Sequence, residues 1–291
     1  MSTETRPPAP PQAAPPQPIP PQSAPARPNG SLPRSAPRVI ALLTAALGAA
    51  VVVGTVASAA VSTFDVASSH SLSTFVGVRG VTALDLDVDA AELTVVFDDV
   101  DGASLEVEDS GGGEWTFERD GAALRVASPR APFTSWFRGG NGDATLTLPN
   151  ELAGLDADVA MAGGSFEADG DFGDLEIELS GGEVTIGGSA DTVAADVAAG
   201  RGEVKLENVS SARLSLGAGE LIAELSGSAP EEVTASVSAG SLELTLPDET
   251  YDVTSELAAG DVDNRLRTDP GATRTVFVEV SAGSAVLRAD D

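Results

Sequence analysis

The sequence predicts an all-β fold: a β-solenoid of stacked coils of about 20 residues, behind one transmembrane helix and a disordered Pro-rich tail. Three observations carry this. Apolar and polar residues alternate in short runs such as Leu84-Asp85-Leu86-Asp87-Val88 and Leu175-Glu176-Ile177-Glu178-Leu179, and period two marks half-buried strands. A small-small-Gly-polar-apolar corner recurs after residue 160. One long uncharged apolar run lies near the start, between Arg38 and Asp65.

Residues 1–38 hold 13 of the 19 prolines. Proline removes backbone donors and fixes φ, so this segment reads as an extended cytoplasmic tail with no packed core. Pro15-Pro16-Gln17-Pro18 has PxxP spacing; it reads as a solvated spacer, with docking to a Pro-binding domain as the alternative.

Residues 39–64 are 26 positions without a charge. As a helix they extend about 39 Å at ~1.5 Å per residue, more than the roughly 30 Å of hydrocarbon. Arg27, Arg34 and Arg38 precede the run and Asp65 follows it. The positive flank stays inside, so the C-terminal body is expected outside the cell, on a single-pass plasma-membrane anchor. The alternative is a signal peptide cleaved after Ala57-Ser58-Ala59, whose leading region would be unusually long. Residues 65–75 read as a tether, and His70 within it as a solvated side chain.

Residues 76–150 are expected to form an N-terminal β region or cap, with strands near 81–88, 91–97, 103–108, 114–118, 123–127 and 144–148. Residues 151–291 carry the repeats. The corner glycines fall at 164, 182, 202, 219, 240, 260 and 283, each step close to twenty. A sharp corner needs a positive φ, which glycine adopts without Cβ strain, and stacked corners admit only Ala or Ser beside it. Inward Val, Leu and Ile each contribute roughly 1.5–3 kcal/mol on burial. A β-sandwich with Gly-rich hairpins is the alternative architecture.

The serial Gly-Gly-Glu-Val and Ala-Gly-Ser-Leu corners, the opening Val81…Leu84-Asp85-Leu86, the strand Gly121-Ala122-Ala123-Leu124-Arg125-Val126 and the strand end Leu146-Thr147-Leu148-Pro149 resemble the bacterial putative-adhesin domain family, of unknown function. The resemblance covers about residues 76–291. It implies a membrane-anchored, extracytoplasmic β-solenoid and brings no catalytic or binding residues with it. The Pro-rich tail, single span and scarcity of Lys are similar to actinobacterial membrane proteins of this type.

Composition narrows the function. The formal net charge is −29, with 16 Lys+Arg against 45 Asp+Glu, one His and no Cys. Disulfides, thiolate metal sites and His-rich metal centres are excluded. The basic footprint that nucleic acid requires is missing, so no nucleic-acid partner is expected. No GxSxG is present, His70 lies beside the expected membrane span, and Lys205 is the one lysine. The carboxylates fall at the polar positions of alternating strands, which a solvated face requires. No catalytic, cofactor or metal residue is assigned and no enzyme activity is expected. Asp85, Asp87 and Asp89 have 1-3-5 spacing, but Ala90 and Val96 stand where a calcium loop needs Gly and Glu.

One loop concentrates aromatics: Phe133, Trp136 and Phe137, followed by Arg138 and preceded by Arg130. Aromatics and Arg dominate binding hot spots, so Phe133, Trp136, Phe137 and Arg138 form the candidate interaction loop, the alternative being a cap over the core. The expected function is a structural, adhesive or interaction module at the cell envelope, with a protein or cationic partner and no cofactor. A sensory envelope-stress protein coupled to the tail is the alternative, followed by an enzyme acting on cell-wall polysaccharide. Sequence fixes neither partner nor oligomeric state.

Overall fold

The computed structural model describes residues 72–108, 114–130 and 142–290. The Pro-rich tail, the expected span at 39–64 and the tether up to residue 71 lie outside the described residues. Among the described residues, no helix is long and apolar enough to cross a membrane.

The described chain is all-β. Seven strands come first: β1 (Leu72–Val76), β2 (Ala83–Val88), β3 (Ala91–Asp98), β4 (Ala103–Glu108), β5 (Thr116–Asp120), β6 (Ala123–Ala127) and β7 (Asp143–Pro149). A 3-10 turn at Asn150–Leu152 follows. Then come β8 (Leu155–Met161), β9 (Gly164–Leu179), β10 (Glu183–Glu207), β11 (Ser211–Ser226), β12 (Glu232–Leu246), β13 (Thr250–Asn264), β14 (Arg267–Thr268) and β15 (Thr275–Ala289).

The long strands pair in parallel, with corner glycines aligned: Gly200 beside Gly219, Gly219 beside Gly240, Gly240 beside Gly283 and Gly283 beside Gly260. Before and after each corner the chain alternates, and both halves send Val, Leu, Ile and Ala into one buried cluster. Valine- and leucine-rich inward positions on strands flanked by parallel neighbours are what hold such a ladder together.

Four sequence expectations are corrected here. The solenoid expectation holds for its all-β class, but the strands form one open 15-stranded sheet that does not close. The N-terminal part also mixes in antiparallel pairs: β1 with β4, β4 with β7 and β5 with β6. Second, the corner glycine of its repeat is Gly200, not Gly202. Gly202 pairs with Leu221 at an inward position, and a Cβ there would lie 2.8 Å from Leu221 Cδ1, so the Leu221 side chain takes the room an aliphatic residue would fill. Third, residues 72–75 of the expected tether belong to β1, because β4 offers them an edge from Ala103 to Val107.

Fourth, strand order departs from chain order. β15 lies between β12 and β13, so Val233 neighbours Val276, which in turn neighbours Val253. The reason is legible in the inward residues. β15 presents Val276, Val278, Val280, Ala285 and Leu287, each at most 1% exposed. The matching positions of β13 are Val253, Ser255, Leu257, Val262 and Asn264. Burying Ser and Asn between two apolar strands would strand polar groups without partners. The apolar strand therefore takes the interior and the mixed strand takes the end. Tyr251 closes this end, fully buried, its hydroxyl donating to the Pro247 carbonyl at 2.9 Å, and burial raises its phenol to about 12.

Residues 76–150 are continuous with the repeats, because β2 pairs with β8 and β3 with β9.

Candidate functional site

Parallel, in-register pairing turns an alternating sequence into rows of side chains spaced about 4.8 Å apart. On one outward face the row runs Arg125, Asp85, Asp158, Glu176, Ala194, Arg213. The next row holds Asp87, Ala160, Glu178, Asp196 and Ser215. Asp158 thus stands between two carboxylates, Asp85 and Glu176. Loss of surrounding water comes first, then the charges of Glu176, Asp85 and Glu178, in pushing its carboxyl above the ordinary value.

A raised acid binds its proton more readily folded than unfolded. Its charge therefore destabilises the fold at neutral pH, and that penalty fades as pH falls toward the ordinary carboxylate range near 3.8. Asp158→Asn should stabilise the protein by about 0.5 kcal/mol at pH 7, modest because the group retains solvent contact. Denaturant titrations at neutral and acidic pH check this; the gain should shrink as pH falls through that window.

Arginines meet part of the charge. Arg125 pairs with Asp85 at 2.9 Å and Asp120 at 3.5 Å, and Arg130 pairs with Asp87 at 3.2 Å. Two carboxylates of the 1-3-5 run are thus engaged by guanidinium groups, and the Asp89 backbone N–H donates to Ser128 Oγ at 2.7 Å. Among the described residues no group of three or more His, Cys, Asp or Glu is arranged to hold a metal ion. Lys205 pairs with Glu203 at 2.6 Å. The hydrogen bond and charge of Glu203 raise its ammonium, opposite to the shift a general base needs.

A cleft of about 810 Å³ follows the corner glycines, with Glu92, Asp143, Glu183, Arg201 and Glu220 along it. Arg201 and Glu220 pair across adjacent strands at 2.9 Å. A second hollow of about 560 Å³ lies by Arg79, Arg119, Asp101 and Glu151.

The candidate loop residues Phe133, Trp136, Phe137 and Arg138 lie outside the described residues, as does His70. Of that neighbourhood, Arg130 is placed against Asp87. What sequence reasoning missed is the contact between Asp158 and Glu176. A signal was available: they are 18 residues apart, the same step as Gly164 to Gly182.

No family model matches the chain, and no curated protein matches it. Solved structures with similarity include a putative cell adhesion protein from Clostridium sporogenes, 12% identical, covering 77% of this chain and 100% of that one, with a TM-score of 0.36. A putative adhesin from Bacteroides fragilis is 13% identical, covers 77% and 98%, and has a TM-score of 0.46. One from Parabacteroides distasonis is 12% identical, covers 76% and 98%, and has a TM-score of 0.38.

Proposed function

We propose that this chain is a non-catalytic interaction module of the cell envelope. Residues 39–64 anchor it in the plasma membrane, residues 1–38 remain cytoplasmic, and the β body faces outward with a cationic partner. The observation that carries this reading is the row Asp85, Asp158, Glu176. Like charges directly opposed across strands are destabilising, and a cationic surface relieves that repulsion while a polyanionic one adds to it.

The test uses intact cells displaying the full chain with an epitope at each end. External protease should remove the C-terminal epitope and spare the N-terminal one. The cells should adhere to polylysine-coated glass more than to polyglutamate-coated glass, with the difference vanishing in high salt. Protection of the C-terminal epitope, equal adhesion to both surfaces, or turnover of cell-wall glycan by the purified chain would overturn the reading.

A further inference from the structure

The open end of the ladder is a second place where a partner can be read from geometry. β13 pairs with β15 along one side from Asp252 to Asn264. On its other side, among the described residues, only Thr250 and Tyr251 have a strand neighbour, in β14. The Asp252 N–H donates to the Arg274 carbonyl at 2.8 Å, toward the β15 side. Backbone direction alternates along a strand, so Val253, Ser255 and Leu257 turn their N–H and C=O groups to the open side.

Two further features define what this edge accepts. Its inward-facing side chains leave apolar surface at the end of the core: Leu257 is 49% exposed, with Val253 and Val262 half-buried beside it. Its outward side chains include Asp252, Glu256, Asp261 and Asp263. Asp263 is matched by Arg265 at 2.5 Å, and the other three make no ion pair among the described residues. Charged side chains on an edge normally deter pairing with an identical edge. Here the same charges select a strand of opposite sign.

We propose that the β13 edge binds an extended protein segment by strand addition, with Lys or Arg alternating with aliphatic residues. The basic side chains meet Asp252, Glu256 and Asp261, and the aliphatic ones cover Val253, Leu257 and Val262. This is a recognised mode of peptide capture, backbone pairing supplying affinity and alternate side chains supplying selectivity. It rests on the cationic-partner reading and gives that partner a location and a conformation.

The probe is a fluorescein-labelled peptide of alternating lysine and valine, titrated by anisotropy against the full chain in lipid nanodiscs. A peptide of the same composition, with its lysines and valines in separate blocks, measures unspecific attraction. Ser255→Pro removes one outward N–H at an edge position that tolerates proline. Glu256→Lys with Asp261→Lys reverses the local charge, and Glu106→Lys with Glu108→Lys reverses an equal charge on the exposed face of β4, outside the acidic rows. The expected result is at least about tenfold weaker binding of the alternating peptide for each β13 variant, and near-unchanged binding for the control pair. If Ser255→Pro melts early, the two charge variants decide alone. Equal loss in both charge variants, or equal affinity for the alternating and block peptides, overturns the edge site and leaves the cationic-partner reading standing. Failure of both peptides to bind overturns that reading as well. A dimer of full chains that excludes the peptide and is lost in Ser255→Pro assigns the edge to self-association and overturns the proposal.

Discussion

Gly219→Ala should destabilise the protein by about 4 kcal/mol, a loss on the scale of the severest single substitutions. The position combines two faults for any side chain. Its φ is +114°, a conformation that costs an L-residue about 1–3 kcal/mol by itself. A Cβ would also collide with the carbonyl oxygen of Gly200 on the adjacent strand. That oxygen belongs to a backbone held on both sides, so it cannot rotate away as a side chain would. Gly163→Ala is the matched control, since nothing lies within 4 Å of a Cβ there, and it should shift stability by no more than about 0.5 kcal/mol. Guanidinium titrations followed by far-ultraviolet circular dichroism separate the two. Equal effects would show that the glycine column is not what lets the strands approach.

Val278→Asp should cost a further large amount, about 4 kcal/mol, whereas Ser255→Val on the neighbouring strand should change stability by less than about 1 kcal/mol in either direction. The two residues are paired across β15 and β13. Val278 has no exposed surface and touches a strand on each side, opposite Ala235 and Ser255. A carboxylate there loses its water and meets no countercharge, with the Ser255 hydroxyl as the one polar group opposite it. Ser255 sits on the terminal strand and is exposed, so a valine gains little cover. Thermal and denaturant melts of both variants measure the contrast. Comparable losses would mean that inward polarity does not set the order of the last strands.

These two expectations mark where the sequence was readable and where it was not. Alternation placed β2, β3, β4 and β6 close to where they are found, because a strand's buried face is a local property. Corner glycines were readable for a similar reason where the demand is local, as at Gly164, Gly182, Gly219 and Gly283, whose φ is positive; Gly240 and Gly260 lack that φ and are required instead by a neighbouring carbonyl oxygen 2.6 Å from where a Cβ would sit. Gly202 misled because it resembles a corner while occupying an aliphatic slot, and only its pairing with Leu221 reveals this. The place of β15 was not legible from spacing, because a repeat implies chain order by default. Ser255 and Asn264 carried the information all along, as polar residues where every neighbouring repeat is apolar. For the candidate site, the acidic residues were visible as outward positions. Their opposition across strands depends on register, which a list of charges does not contain.

The position of β15 also bears on how the molecule matures. As synthesis proceeds, β13 exists before β15, yet its strand neighbour from Asp252 to Asn264 is β15. On that side β12 likewise takes β15 and not β13. The two earlier segments are joined only through the later one, so this end of the mature ladder waits for residues 275–289 to be made.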